Sequence, residues 1–597
     1  MAPRPVKIAS IAGIKRDGTQ FEGDYYVDGQ WCRFQRKLPR KMGGFRQLSN
    51  NISGLARGVF TQTDNNNVFM HIGSANLLER LTVSVPSGIA SAVTDRTPAG
   101  FATSDFNLWQ MDAIYDSVTT NSALIAHAAL NLNDISSSLT APIYAGPMTG
   151  TAALVALGGT SPSVSGGIVA LHPYLVAYGS DGYVAWSSPS DITDWSTASG
   201  GGEAFVTAQK IVFGASARGG ATNSPSAILW SLDSVLRMSY TGVVNVVFSF
   251  DTISDESSIL SSQCVIEYDG IYYWAGVDRF LMYNGVVREI PNDLNLNWFF
   301  DNLNFEQRQK VFAMKIPRWG EIWWCFPYGD ATECTHAVIF NVREQTWYDT
   351  ILPNVGRSSG QYPRVYQYPL MTGVTTINSI LGYGSLVGGS LYTNGTYYGV
   401  PLINTTSISG SGATANITVA GNTVTTVVIV QGGSGYTIGD VLEVSPSELG
   451  GGGSGFSITV TSLSGYSLWR HEDGYDEVAG QVINPVTSYF ETSDISLPAA
   501  AEGQNKSLRI TMIEPDFVQK GEMTVQVTGR ANARSPTAAG LNMAYPFQAN
   551  QPDQQVVFLK DLRREMRFKF QSNTVGGDYQ MGQCIAHIEP ADGTVLG

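Results

Sequence analysis

Between Ser262 and Pro291 the chain reads SQCVIEYDGIYYWAGVDRFLMYNGVVREIP, three short aromatic and β-branched runs parted by Asp269-Gly270, Gly276-Val277-Asp278 and Asn284-Gly285. Asp-Gly and Asn-Gly readily supply the positive φ angles that two-residue hairpin turns require, so this run predicts a meander of antiparallel strands. Units of the same kind recur without close identity. GIVALHPYLVAYGSDGYVAW from Gly167 predicts a hairpin across Ser180-Asp181-Gly182, and AQKIVFG, SAILWSLDSVLRMSY, EIWWCF and AVIFNVREQTWYDT continue the series. Radial repetition of meanders protects strand edges in a β-propeller, which is the architecture expected here. Composition agrees with an all-β chain: charged residues are 14% against a usual figure of about 25%, while Gly 64, Tyr 27 and Trp 12 favour turns and aromatic strands.

Charge excludes one broad class. A formal net charge of −14 argues against a whole-surface nucleic-acid clamp, which needs Lys and Arg to meet phosphates. The basic residues are unevenly placed. From Met1 to Leu48 there are ten Lys or Arg against four acids, and RDGTQFEGDYYVDGQWCRFQRKLPRKMGGFR reads as an extended strap rather than a compact domain. The N-terminus lacks the apolar core of a signal peptide, and there is no run of about 18 apolar residues for a membrane helix. The expectation is therefore a soluble chain without a membrane segment. Cys32, Cys264, Cys325, Cys334 and Cys584 are odd in number and widely spaced, which predicts buried free thiols of a reducing compartment.

Along the chain, residues 58–166 show only VFMHIG and NLWQMDAIYDSV as clear strands, between Ser/Thr-rich stretches expected to be long loops. NDLNLNWFFDNLNFEQRQKVF is the one helical stretch; its asparagines predict two short helices or a helical loop rather than one rod, with Asn292 or Asp293 as cap. From Ser407 the text turns to Gly, Ser, Thr and Val, with strands expected at 416–419, 424–430, 441–444 and 457–461, an independent β module inserted in a propeller loop. The tail holds longer alternating strands and a second basic knot at Lys560, Arg563, Arg564, Arg567 and Lys569, interleaved with Phe568 and Phe570 so that one face is cationic and the other apolar. The organisation expected is 1–57 basic strap, 58–401 first part of the propeller core, 402–465 inserted module, and 466–597 return to the propeller and a closing β region.

Motifs that carry chemistry are missing. Histidines 71, 127, 172, 336, 471 and 587 show no HExxH or His-x-His spacing, so no metal site is expected. Glycine runs lack the GxxxxGK[ST] lysine, and Gly450, Gly452 and Gly455 lead into a strand rather than a helix. No cofactor site and no catalytic residues are expected. Asp251 with Asp255 and Glu256, or Glu472 with Asp473, are carboxylate pairs that any acidic chain produces. The dense aromatics Trp319, Trp323, Trp324, Phe326 and Trp347 read as core, with a sugar-binding platform as the sharper alternative.

Three stretches carry a resemblance. The opening RDGTQFEGDYYVDGQWCRFQRKLPRKMGGFR, the order from Ile211-Val212-Phe213-Gly214 through Tyr268–Tyr283 to AVIFNVREQTWYD, and the end LKDLRREMRFKFQSNTVGGDYQMGQCIAHIEP resemble the tail nozzle, or tail-hub, family of short-tailed bacteriophages. The resemblance excludes 402–465, which is similar to GGSGYT-containing β modules of other phage structural proteins. It implies a structural virion protein made in the host bacterial cytoplasm: a homohexamer at the distal tail, below an adaptor (head-to-tail connector), bearing fibres or spikes and a terminal plug. Double-stranded phage DNA would pass through its channel without specific binding, since an acidic wall repels phosphate within about 8 Å at physiological salt. The candidate interface is Arg33, Arg36, Lys37, Arg40 and Lys41 of the strap with Lys560, Arg563, Arg564, Arg567 and Lys569 of the knot, facing acidic neighbours. Two rivals stand beside it: a carbohydrate-binding or carbohydrate-cleaving propeller, and a non-viral propeller scaffold.

Overall fold

The computed structural model describes residues 3–8, 10–19, 24–102, 108–129, 140–217, 224–243, 246–353, 356–407, 410–480, 482–495, 507–530, 538–549 and 556–591. The chain is all-β. Six four-stranded antiparallel meanders follow one another from Ala56 to Ile351, each pairing its strands in chain order. Their first strands are Ala56–Thr63, Leu108–Asp116, Gly167–Leu171, Ile211–Ser216, Ile266–Tyr268 and Phe312–Ile316. The fifth is the predicted one, with strands Ile266–Tyr268, Ile271–Ala275 and Phe280–Tyr283, and a fourth at Val287–Glu289. Its first turn has φ 50° at Asp269 and 81° at Gly270, the two positive angles the dipeptide suggested. The stretch 58–166, expected to be loop-rich, instead holds nearly all of two meanders, the first starting at Ala56.

A further sheet orders Ser359–Gln361, Leu370–Ser390, Ser454–His471 and Phe45–Ile52. Apolar cores join each sheet to the next. Trp109 packs with Leu78, Ile125 with Ile168, Leu229 with Val176, and Trp230 with Trp274. Met371 shares a core with Met314, while Leu370 and Leu468 pack with Met70 and Leu81 of the first meander. The first strands and Ser359–Gln361 line one cavity of about 330 Å³, represented by Val59, Asp112, Glu267 and Gly360.

Both chain ends build a second region together. Arg4–Ile8 pairs with Cys584–Ala591, Asp28–Gln30 with Ser488–Glu491, and the hairpin Cys32–Gln35/Leu38–Lys41 with Asp578–Met581. The predicted strap is thus a set of strands distributed through sheets it shares with the tail. Between them it lies against the sixth meander: Thr346 Oγ1 donates to the Ala12 carbonyl, and a Cβ on Gly13 would press into Thr346 and the Trp347 carbonyl. The helical stretch forms two short pieces, Leu296–Asn302 and the 3-10 turn Phe305–Lys310. Its cap comes from afar: the Asp17 carboxylate accepts the N–H groups of Asn297 and Trp298, while Asn292 accepts those of Leu294 and Asn295.

The inserted module has an apolar core running from Ile380 to Val460 and including Tyr392 and Val400. It begins earlier than the composition shift at 402, because the paired strands Leu370–Ser390 and Ser454–His471 run unbroken from the ring of sheets into the module. Leu48 and Asn51 tie it to the ring through Gln431 and the Ile429 carbonyl. All five cysteines are free and buried.

Two outcomes follow. Asp17→Ala removes a cap joining strap to helix and should cost about 1 kcal/mol in urea unfolding. Burial also lowers the pKa of His71 to about 3 and those of His127 and His336 to about 4. Unfolded imidazole takes its proton near 6.5, so the stability these histidines confer is full above that value and is lost as pH falls towards 4, by up to about 1.4 kcal/mol per unit for each. Asp112, raised by burial to about 6, opposes this in part. Unfolding midpoints at pH 7 and pH 5 should therefore differ, and His127→Gln should narrow the difference.

Candidate interface and the buried ion network

The basic strap residues separate into two kinds. Arg33 and Lys41 are buried, at 1% and 2% exposure, which removes both from the expected contact surface. Arg33 Nε lies 2.8 Å from Glu321 Oε1, and its two terminal nitrogens donate to Glu472 at 2.7 and 2.6 Å. Glu321 also accepts from Trp323 Nε1 and Tyr348 OH, and Glu472 from Trp319 Nε1. This one guanidinium joins the strap, the sixth meander and the strand that returns from the inserted module. Burial, with Glu472 adding, pushes the Glu321 carboxyl above the usual range although Arg33 opposes it. For Glu472 burial acts in the same direction, but Arg33 and the bonds from Arg33 and Trp319 outweigh it and hold the carboxyl below its ordinary value. Lys41 Nζ donates to the Gly577 carbonyl, and burial lowers its pKa to about 8.

Arg36 and Lys37 are exposed at the tip of the Cys32–Lys41 hairpin. Both have left-handed backbones, φ 52° and 61°, a conformation that costs non-glycine residues about 1–2 kcal/mol each. Their N–H groups donate to the two oxygens of Glu344 at 2.8 and 3.2 Å, which holds the turn. Arg40 is half-buried, its guanidinium 4.7 Å from the Trp319 ring centre. Arg33 and Arg318 approach the same ring at 4.7 and 4.9 Å. Arg318 and Arg343 come from turns about 280 to 310 positions further along, so no reading of the strap alone could add them; the one arginine directly before Trp319 in PRWG is the available signal.

The C-terminal knot is not one cationic face. Arg567 is 3% exposed, bound through Nε and a terminal nitrogen to Asp494 at 2.8 and 2.7 Å, with Glu491 at 3.7 Å. Its strand Glu565–Ser572 is flanked by Ser488–Glu491 and Glu522–Arg530, so the expected open face meets carboxylates there. Lys569 Nζ sits 3.7 Å from the centre of the Tyr489 ring, Arg563 lies 3.6 Å from Asp561, and Arg564 is half-buried. The side chain of Lys560 lies outside the described residues.

The carboxylate pairs are also accounted for. Glu472 belongs to Arg33, and Asp473 Oδ2 binds Arg46 and Arg470. Asp251, Asp255 and Glu256 are exposed. Trp323, Trp324, Phe326 and Trp347 are buried in the core and Trp319 is partly covered. Among the described residues no group of three or more His, Cys, Asp or Glu is placed to hold a metal ion.

The sequence matches no family model and no curated protein. Among solved structures, an exo-β-1,3-galactanase from Phanerochaete chrysosporium with galactose is 10% identical over 92% of this chain and 100% of its own, with a TM-score of 0.25. A putative exported protein from Bacteroides fragilis is 11% identical over 55% and 83%, with a TM-score of 0.27. Overlaps this low assign neither fold nor chemistry.

Arg33→Met would remove the guanidinium that both buried carboxylates bind, which should cost about 3–5 kcal/mol in chemical unfolding. Adding Glu321→Gln should recover part of that loss, and simple additivity of the two changes would disprove the coupling.

Proposed function

We propose that the protein is a structural component of a short phage tail, a nozzle forming the distal part of the DNA-ejection channel and a platform for fibres or a plug. The six meanders and the sheet closed by Phe45–Ile52 are read as seven blades of a β-propeller. Supporting that reading, the seven first strands line a common cavity and the closing sheet shares a core with the first meander.

The observation that carries the structural role is how the two chain ends are bound to each other and to the sixth meander. Both ends interleave strand by strand, and the buried Arg33, Glu321 and Glu472 lock that region to the ring and to the strand emerging from the insert. A part that holds its shape while DNA is driven past it needs such fixed joints. The formal charge of −14 suits a surface that does not retain phosphate. Six copies around the tail axis, docked on an adaptor, form the assembly this reading requires.

One observation favours the carbohydrate reading: Asp112, raised to about 6 by burial, borders the central cavity with Glu267. Against it, both Asp112 oxygens accept backbone N–H groups, from Ala113 and Ala170, and Glu267 is paired with Lys315.

Electron microscopy of purified particles labelled with an antibody against residues 402–465 tests the assignment. Label in a ring at the distal tail is expected. Protein found only in cytosol, or polysaccharide turnover that Asp112→Asn abolishes, would replace the nozzle with a rival.

A further inference from the structure

The turns of the fourth, fifth and sixth meanders place opposite charge on opposite ends of neighbouring sheets. Lys315 Nζ reaches the Glu267 carboxylate, and Arg343 donates to Tyr268 OH and the Pro317 carbonyl, so turns 268–271, 317–320 and 342–345 lie side by side at one end. The Arg36-Lys37 tip joins them through Glu344. At this end Arg40 and Arg318 approach the Trp319 ring, with Arg36 and Lys37 exposed on the adjoining tip; Asp578 and Glu472 act on Arg40, while Arg36, Lys37 and Arg318 form no ion pair among the described residues. Of the carboxylates nearby, Glu344 is engaged by the N–H groups of the turn and Glu472 by Arg33 and Trp319, which leaves Asp578 acting on Arg40 alone of the surface cations named here. Guanidinium planes resting on an indole keep their N–H edges directed outward, where a carboxylate can take two parallel hydrogen bonds.

Because strands alternate in direction, the intervening turns fall at the other end. There Asp233, Asp255, Glu256, Asp278 and Glu289 are exposed, Arg279 is held by Asp278, and exposed Arg288 precedes Glu289 in the chain. Glu256 and Glu289 both act on Arg279, which places these carboxylates in one group.

We propose that the arginine surface around Trp319 docks the acidic end, at Asp255, Glu256 and Glu289, of a second copy of this chain. This deepens, and rests on, the multimeric reading above by naming the surfaces that meet. The two ends differ from one another, so the contact is heterologous, head to tail, and such contacts close into rings where the rotation between copies allows. Complementary charge favours a second copy over DNA: the acidic counterpart is already present on the chain, at the end where a head-to-tail neighbour would offer it. The rigid, ring-stacked guanidinia lose little freedom on docking.

Sedimentation velocity of the full chain tests this. Association should be strong in 0.1 M salt and at least about tenfold weaker in 1 M, where charges are screened beyond about 3 Å. Arg36→Glu with Arg318→Glu should weaken it at least about tenfold, as should Asp255→Lys with Glu256→Lys; mixing the two variants should restore it. All four positions are exposed, and recovery on mixing separates lost contact from lost folding. Variants that associate as the parent does would overturn the docking surfaces while leaving the multimeric nozzle intact. A parent chain that stays monomeric at about 100 μM in 0.1 M salt would overturn the contact itself, with particle labelling deciding the nozzle separately. Retardation of a labelled DNA duplex that is lost in the arginine variant would give the surface to nucleic acid instead.

Discussion

A single buried guanidinium holds three parts of this chain in register. Arg33 comes from the N-terminal strap, Glu321 from the second strand of the sixth meander, and Glu472 from the residues just past the long strand returning from the inserted module. Charges taken out of water are costly unless each finds a partner of good geometry, so the three segments must arrive together or not at all. Trp319, Trp323 and Tyr348 supply the remaining donors. The same logic recurs where Arg16 meets Asp349 and Asp28, and where Arg567 meets Asp494. Some basic residues that look like part of a surface cluster in the sequence, Arg33, Lys41 and Arg567, therefore act as internal joints.

This arrangement covers the faces of many short-stranded sheets, while several fourth strands, such as Val155–Ala156 and Val287–Glu289, stay at the surface. A four-stranded meander alone offers two edges and an uncovered face. Packing each sheet against the next buries the faces, and the N-terminal strand Phe45–Ile52 pairs beside Ser454–His471 to complete the closing sheet. The insert extends that sheet rather than hanging from a loop, so its position is fixed by two long strands and by the bonds from Asn51 and Gln431.

Much of the fold is legible in local text. Asp269-Gly270 fixes a turn because only particular backbones accept two positive φ angles, and the strand boundaries at Ile271–Ala275 and Phe280–Tyr283 match what the turns on either side imply. The asparagine-rich helical stretch breaks into two pieces as its low propensity suggests. Residues 58–166 are harder to read because the connections between their strands are long and several strands are short, such as Thr94–Asp95 and Val155–Ala156. The Asp17 cap is invisible to local reading, since its acceptor and the helix it serves lie 280 positions apart.

The candidate surface divides along the same line. Arg36 and Lys37 lie on a turn whose exposure follows from hairpin geometry, whereas nothing within the strap distinguishes Arg33 or Lys41 from them; which cations are buried depends on distant segments. What the sequence by itself determined was local and chemical: the all-β class, the positions of its sharpest turns, the free thiols and an acidic chain with basic ends. Only the tertiary structure decided that both ends share their sheets, that Arg33, Lys41 and Arg567 face inward, and that Arg318 joins the hairpin tip around Trp319. The reason is range: turns and alternation are set by neighbours a few residues apart, while burial of a charge depends on whichever remote carboxylate or carbonyl the closed fold brings within hydrogen-bonding distance.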